Sequence, residues 1–229
     1  MKNQEIQQIA VDTIEYIRKH IYVGQSLKEI RTLCENKMLE LGATSFWYYN
    51  IGAFVFAGKD TTISVSGRKY KTVDYSIKPN DIITIDFSPS YRNIWGDYAR
   101  TIIIENGKVA DHVDEISDLQ WRNGLLFEDD LHKELMRFVT LSTTFEEVYY
   151  HMNNMIMKNG YKNLDFNGNL GHSIEKFKYR RVYIEKGNKK LLSKSKFFTF
   201  EPHIALINGD YGFKKENIYY FDGGVLKRL

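Results

Sequence analysis

The sequence lacks the features that place a protein outside the cell or in a membrane. Cys34 is the only cysteine among 229 residues, so no disulfide can form within the chain, which fits a reducing compartment. No apolar run reaches the ~18–20 residues that a membrane helix needs. The first residues also lack the apolar block and the small-residue cleavage site of a signal peptide. We therefore expect a cytoplasmic protein with no membrane partner.

A large excess of charge of one sign is also missing. The 32 basic and 29 acidic residues give a formal net charge of +3, which is too balanced to indicate a nucleic-acid partner. The basic stretch from Lys176 to Lys196 is interpreted as a solvated surface, and so is Lys227-Arg228. A chain of this length can bury about 70% of the surface that it exposes when unfolded. Residues 1–229 are therefore predicted to form a single domain.

Helical and extended patterns alternate in blocks along the chain. Apolar residues at three- and four-residue steps indicate helices, and Ser26 with Glu29 three residues later forms a capping-box pattern. Segments rich in β-branched and aromatic residues indicate strands. Helices are predicted at about 6–21, 26–42, 114–139 and 144–159. Strands are predicted within 46–58, 61–67, 81–87, 94–105, 166–175, 180–187, 196–206 and 216–224. This order predicts an α+β fold built from two similar halves.

Two aspartates lie on a predicted antiparallel hairpin. Asp86 closes the apolar strand DIITIDF, where a carboxylate is costly to bury unless it is paired or bound to a cation. If the hairpin turns near Tyr91-Arg92, Asp97 lies opposite Asp86, with Cβ atoms about 5 Å apart. Two carboxylates that close repel each other unless a proton or a metal lies between them. The alternative is that Asp97 forms a turn and Asp86 pairs with Arg100.

Three further candidates lie in the second half. His172 follows Gly171 in the segment NLGHS, Glu201 ends the apolar segment FFTF before a proline, and Glu216 opens the strand NIYYF. Glutamate is almost never fully buried unless it is paired. His172 has the alternative of a structural role, and each glutamate that of a salt bridge with a lysine at a strand end.

As a set, these residues predict a metal centre. Four carboxylates and one imidazole are compatible with manganese, which we favour, and with cobalt, iron or zinc. Four negative charges exceed what one divalent ion neutralises, so we predict two divalent ions.

The same segments resemble those of the pita-bread metallopeptidases, a family that includes methionine aminopeptidase, aminopeptidase P, prolidase and creatinase. The resemblance runs from about residue 2 to residue 225. It is carried by IDFSPSYRNIWGDYARTI, LGHS, FFTFEPHIAL and GFKKENIYYF, which supply five ligand positions in the family's order. It implies a pita-bread fold, with pseudo-two-fold halves, a curved antiparallel sheet and flanking helices.

The resemblance also implies roles for the five residues. Asp97 and Glu216 would bridge two metal ions, Asp86 would bind one ion, and His172 and Glu201 would bind the other. A water or hydroxide between the ions would be the nucleophile, and Glu201 the proton shuttle. The larger members carry an additional N-terminal domain, whereas this chain resembles only the catalytic domain.

The sequence departs from the family's pattern at two histidines that bind substrate. Arg68 is nearest to the position of the first, and Tyr179 occupies that of the second. Losing one donor of this kind can cost about 10²–10³ in rate. Arg68 could hold a carboxylate, and Tyr179 could donate a hydrogen bond. We also predict that His203, two residues after Glu201, points into the pocket and supplies an imidazole, with an ordinary surface or core histidine as the alternative.

Aromatic residues before the first aspartate are expected to form the substrate wall, although core packing also explains their presence: Tyr48, Tyr49, Phe54 and Phe56. Three functions remain open: an aminopeptidase of Xaa-Pro type, a metal-dependent enzyme acting on a small amide-like molecule, and an inactive binding module. The expected partner is therefore a peptide or an amide-like substrate. Family analogy also allows a homodimer.

Overall fold

The structure, a computed structural model, describes residues 1–229 and contains four α-helices and thirteen short strands. The helices are α1 (Asn3–Arg18), α2 (Leu27–Glu40), α3 (Leu119–Phe138) and α4 (Phe145–Lys158). The strands are β1 (Ser45–Phe46), β2 (Ala53–Ala57), β3 (Asp81–Phe87), β4 (Pro89–Tyr91), β5 (Ile94–Trp95), β6 (Tyr98–Glu105), β7 (Lys108–Val109), β8 (Tyr161–Asn163), β9 (Phe198–Phe200), β10 (His203–Leu206), β11 (Gly212–Lys214), β12 (Asn217–Asp222) and β13 (Val225–Arg228). No helix has both the length and the apolar character needed to cross a bilayer.

The strands form four antiparallel sheets, in the orders β2-β3-β6-β7, β1-β4-β5, β11-β10-β8 and β13-β12-β9. In the first half, α1 and α2 pack on the β2-β3-β6-β7 sheet, and their shared core includes Ile14, Cys34 and Phe87. In the second half, α3 and α4 pack on the sheets of β9 to β12 around a separate core that includes Leu131 and Phe200. This mixture of helices and antiparallel sheets in two halves confirms the α+β prediction.

The helix predictions are confirmed, with one shifted start. Ser26 and Thr144 accept hydrogen bonds from Glu29 and Glu147 in capping boxes, as their spacing predicts. The third helix begins at Leu119 rather than near residue 114, because residues 113–115 form a separate 3₁₀ turn.

Several strand predictions are wrong because polar turns interrupt the apolar pattern. Residues 61–67, 166–175 and 180–187 contain short 3₁₀ turns and isolated bridges rather than strands. The segment 46–58 contains a strand only at each end, since Tyr49 and Asn50 between them adopt positive φ angles of 53° and 58°. Backbone conformations of this kind end a strand.

Two predicted strands break at the residues proposed to carry chemistry. The segment 94–105 divides into β5 and β6, and Asp97 lies in the gap. The segment 196–206 divides into β9 and β10, and Glu201 lies in the gap before Pro202, which cannot donate a ladder hydrogen bond. The interruptions free these two carboxylates from regular strand geometry.

Candidate active site and metal centre

Three carboxylates from separate parts of the chain converge in the interior. Asp86 comes from β3, Asp97 from the gap before β6, and Glu216 from the turn before β12, and one oxygen of each lies within 4.8 Å of the other two. The hairpin register differs from the prediction, because Asp86 pairs with Ala99. Asp97 is therefore diagonal to Asp86, two residues along the same face, rather than directly opposite.

The position of Asp97 is fixed from helix α1. The Gln7 side chain, which is 3% exposed, accepts a hydrogen bond from the Asp97 N–H at 3.0 Å and donates one to the Asp97 carbonyl at 2.8 Å. Gln7 thus satisfies both backbone groups that the break between β5 and β6 leaves unpaired. Sequence reasoning missed this residue, and its signal was a glutamine among the apolar positions of an amphipathic helix.

The Glu216 carboxylate is buried without a partner. Glu216 is 0% exposed, and neither carboxylate oxygen has a hydrogen-bond partner. Burial raises its pKa well above the usual value, and the Asp97 charge adds to the effect. The pKa of Asp97 is raised in the same way, by burial and then by Asp86. Such a group is strongly unfavourable unless a proton or a cation compensates it.

His172 faces this cluster with a defined nitrogen. Its Nδ1 donates to the Ser173 carbonyl at 3.2 Å, so Nε2 carries the lone pair. Nε2 lies 3.5 Å from Asp97 Oδ2 and 3.8 Å from Glu201 Oε1. Burial lowers the pKa of His172 to about 3, which keeps the ring neutral. This is the tautomer in which a histidine can bind a metal through Nε2.

The glycine before His172 is required by packing. Gly171 has a φ of +139°, and a Cβ at this position would overlap the Thr199 carbonyl oxygen. The close approach brings His172 alongside β9, and His172 and Thr199 are joined by two hydrogen bonds. The same strand leads directly to Glu201, whose pKa burial raises to about 7.

A lysine that the sequence reasoning missed neutralises the other end of the cluster. Lys214 Nζ donates to Asp86 Oδ2 and lies 3.5 Å from Glu201 Oε2. Burial opposes the charged form of Lys214, but Asp86 and Glu201 outweigh it and raise the pKa well above its usual value. Its signal in the sequence was its position two residues before Glu216. In the structure, Lys214 also pairs across the sheet with His203.

The alternative pairing of Asp86 with Arg100 is absent. The Arg100 guanidinium donates instead to the carbonyls of Ala99 and Glu216 and to the side chain of Asn217, at 2.7 Å each. Arg100 therefore holds β6, which follows Asp97, against the start of β12, which follows Glu216. Asp86 pairs with Lys214 instead.

The cluster opens into a cavity of about 290 Å³. His203 lies in its wall, as predicted, and its Nε2 donates to the Thr61 carbonyl at 2.7 Å. Burial lowers the pKa of His203 to about 4, so the ring is neutral. Tyr48 and Phe54 also line the cavity, whereas Tyr49 is exposed and Phe56 packs against Tyr70 outside the lining.

Arg181 is a second cavity residue that the sequence reasoning missed. Its Nη1 lies 3.3 Å from His172 Nε2, and its Nε donates to the Lys178 carbonyl at 2.8 Å. The guanidinium carbon lies 4.8 Å from the ring centre of Trp47, and the rings of Tyr48 and Tyr183 are also within 6 Å. Nη2 makes no hydrogen bond within the chain. Arg181 falls in the stretch interpreted as solvated surface, so that interpretation is wrong at this residue.

Neither Arg68 nor Tyr179 reaches the cavity, which corrects the prediction that they occupy the site. Arg68 is exposed and lies over the ring of exposed Tyr49, at 5.9 Å. Tyr179 is 76% exposed and stacks on Phe177, since the 3₁₀ turn at Lys178–Arg180 directs it outward. The charged donor near His172 is Arg181 instead.

A model of metallopeptidase family M24 matches residues 2–222. The chain belongs to this family. Its fold is accordingly the pita-bread fold expected from the sequence. No curated protein sequence matches the chain.

Solved structures with this fold include an X-Pro aminopeptidase, a prolidase and a methionine aminopeptidase. The X-Pro aminopeptidase of Thermotoga maritima aligns with a TM-score of 0.78 at 21% identity, over 99% of this chain and 58% of that chain. The prolidase of Pyrococcus furiosus aligns with a TM-score of 0.76 at 18% identity, over 98% and 61%. The methionine aminopeptidase of Thermotoga maritima has a TM-score of 0.77 at 14% identity, over 98% and 93%. The chain thus spans about three fifths of the length of the first two.

The residues of this M24 protein fit a divalent metal. The cluster offers carboxylate oxygens and a neutral imidazole nitrogen, the ligands of first-row divalent ions. Lys214 supplies one positive charge beside four carboxylates, so protons or a metal ion must compensate the rest. Both oxygens of Glu216 are unpartnered and buried, which is the state a bound cation would relieve.

Proposed function

We propose that this M24 protein is a metal-dependent aminopeptidase that removes the first residue of short peptides, with preference for a proline in the second position. The observation that carries the proposal is the convergence of Asp86, Asp97 and Glu216 within 4.8 Å, with Glu216 buried and unpartnered. The family membership and the Xaa-Pro specificity named for two of the structural relatives support it. We extend the proposal to the whole of residues 1–229 as one catalytic domain.

The metal ligands proposed are those predicted from the sequence. Asp86, Asp97, His172, Glu201 and Glu216 would hold two divalent ions, with manganese favoured over cobalt, iron or zinc. When bound, such ions lower the pKa of water towards neutrality and polarise a carbonyl. With its single buried cysteine, the chain also suits the cytoplasm.

The chain's own residues supply proton transfer and substrate binding. Glu201 is the proposed acid and base, because its carboxylate lines the cavity, with one oxygen 3.8 Å from His172 Nε2 and the other 3.5 Å from Lys214 Nζ. Arg181 is the proposed partner of the substrate carbonyl. Its Nη2 is free, and the three surrounding rings hold the guanidinium beside His172.

The experiment for the whole proposal combines metal titration with a dipeptide panel. Calorimetry with manganese, cobalt, zinc and iron(II) should give tight binding of a divalent ion. The loaded protein should cleave Xaa-Pro dipeptides faster than Met-Xaa dipeptides, and a chelator should abolish cleavage. A protein that binds no divalent ion would refute the proposal.

Arg181 has its own test within that experiment. Arg181→Gln should lower kcat by about 10²-fold, as expected for loss of a charged donor to a developing oxyanion, while metal affinity is unchanged. Arg180→Gln is the matched control, because Arg180 is the exposed neighbour and lies over Phe177 and Tyr179 outside the cavity. Equal kcat values for the two variants would remove Arg181 from the mechanism.

A second candidate is an enzyme that acts on a small amide-like molecule. It is favoured by the cavity itself, since the polar groups that line it include Arg181, Asp165 and His203 rather than apolar side chains alone. Metal binding without cleavage of any dipeptide would support this candidate over the first. An inactive binding module is disfavoured because the five ligand positions are intact and Glu216 is buried without another partner.

A further inference from the structure

A basic groove lies next to the acidic cavity. The groove has a volume of about 340 Å³, and three of its eleven lining residues are cationic: Arg92, Lys176 and Lys178. None of its lining residues is acidic. The remaining lining consists of aromatic and small polar side chains.

The cavity beside it has the opposite charge pattern. Its lining includes the carboxylates of Asp86, Asp97, Asp165 and Glu201. Trp47 lines both the cavity and the groove, so the two lie on either side of one side chain. A ligand that extends from one to the other would pass from an acidic environment into a basic one.

The groove is anchored to the rim of the cavity. Lys178 Nζ donates to the Trp47 carbonyl at 2.9 Å, and Trp95 Nε1 donates to the Glu175 carbonyl at 2.8 Å. These bonds tie residues 175–178, which follow His172, to Trp47 directly after β1 and to Trp95 in β5. Phe177 and Tyr179 stack at 5.6 Å on the outer side and are 39% and 76% exposed. Aromatic residues and arginine are enriched at binding surfaces.

We propose that the basic groove binds acidic residues that follow the scissile bond of a peptide whose first residue occupies the cavity. This inference rests on the proposed function and specifies its substrate class as acidic oligopeptides rather than dipeptides alone. The positively charged amino terminus of such a peptide would face Asp165, which lines the cavity and is not a proposed metal ligand, and its acidic continuation would face Arg92 and Lys176. A peptide with a basic continuation is repelled from the same groove.

The first arm of the test compares peptides that differ only in their continuation. The dipeptide cleaved best in the panel is extended at its carboxyl end with two glutamates, two glutamines or two lysines. In each further series of peptides, this charged or neutral pair is moved one position further from the scissile bond. We expect kcat/KM to be about fivefold higher for the glutamate peptide than for the glutamine peptide, the size expected of two exposed ion pairs. The preference should shrink at high ionic strength, since exposed charges are screened.

The second arm changes the groove. The double variant Arg92→Asn and Lys176→Glu should abolish or reverse the preference while cleavage of the parent dipeptide stays the same. Asparagine tolerates the positive φ of 56° at residue 92, and both changes leave the Lys178 bond to Trp47 intact. The control is the double variant Lys186→Asn and Lys190→Glu. It changes the net charge by the same amount as the groove variant, and both of its residues lie outside the groove. The control should keep the preference.

A third arm measures binding without catalysis. Fluorescence anisotropy of a labelled acidic peptide should show weaker binding to the groove variant than to the control. Equal kcat/KM for acidic and basic peptides, with dipeptides still cleaved, would overturn the groove proposal alone. No cleavage of any peptide would overturn the proposed function, and the anisotropy would still decide the groove. A labelled oligonucleotide that binds tightly and loses affinity in the groove variant, when the acidic peptide does not, would overturn the peptide assignment.

Discussion

The two ends of the carboxylate cluster differ in how their negative charge is compensated. At one end, Asp86 and Glu201 share the ammonium of Lys214. At the other end, Asp97 and Glu216 are buried with no cation on their oxygens, apart from the neutral ring of His172. The protein's own cationic side chains thus compensate only part of the negative charge of the cluster. The uncompensated end should therefore bind a divalent ion more tightly than the lysine-paired end.

The largest effect is expected at the uncompensated end. Glu216→Gln removes a charge that only a metal compensates, so divalent metal affinity should fall at least about 100-fold. The metal-free variant should be more stable than the parent by about 1–3 kcal/mol, because the folded parent must bury the Glu216 carboxyl either ionised without a partner or protonated above its usual pKa. Calorimetry and urea denaturation measure the two quantities. Glu185→Gln, at an exposed glutamate, is the control and should change neither. Unchanged metal affinity in Glu216→Gln would break the comparison.

At the lysine-paired end, a substitution is expected to have the opposite effects on stability and on metal affinity. Lys214→Met leaves Asp86 and Glu201 without their cation, so the metal-free protein should lose about 2 kcal/mol of its free energy of unfolding. The affinity for metal at this end should rise, because an internal cation no longer competes. Lys215→Met is the control, because Lys215 pairs with Asp129 and does not line the cavity. A stable variant with unaltered metal affinity would show that Lys214 does not compensate the cluster.

The pH dependence of stability sharpens the comparison further. Burial raises the pKa of Glu201 from 4.5 to about 7, so the folded metal-free protein binds more protons than the unfolded chain between these values. Glu201 should therefore contribute a fall in stability of up to about 3 kcal/mol as the pH rises from about 4.5 to 7, whereas the lowered pKa values of His172 and His203 contribute a rise up to about pH 6.5. With metal bound the Glu201 contribution should reverse, because the ligands must be deprotonated. Thermal denaturation across this range measures both slopes. Glu201→Gln removes this contribution, so the stability of the metal-free parent minus that of the variant should fall as the pH rises from about 4.5 to 7, and a difference that rises would contradict the assignment.

The smallest effect is expected for His203, which pairs with Lys214 across the sheet but does not contact the carboxylates directly. His203→Ala should leave metal content unchanged and lower turnover by about tenfold or more, the scale of a lost hydrogen-bonding group. Metal analysis and kcat on the best dipeptide measure the two. Unchanged turnover would show that His203 only supports Thr61, to whose carbonyl it donates.

The sequence analysis succeeded where local patterns are regular. The helices capped by Ser26 and Thr144 and the hairpin that carries Asp86 all follow from spacing and composition. It failed around residues 166–187, where the backbone is held by Gly171 packing against Thr199 and by isolated bridges rather than by strands. Contacts of this kind join residues that are distant in sequence, so no local pattern announces them. Arg181 was missed for the same reason, whereas Lys214 and Gln7 had only weak local signals, a position two residues before Glu216 and a polar residue among apolar helix positions.

The sequence by itself determined the helices of the first half and the strand that carries Asp86, and it singled out the five residues proposed to bind metal, because residue type and spacing carry these signals. Only the tertiary structure decided which of these carboxylates pair with a cationic side chain of the protein and which do not. That choice depends on where β11 places Lys214 and on where the break after β5 leaves Asp97. Charge compensation is a property of distances between separate segments, and those distances exist only once the two halves have packed together.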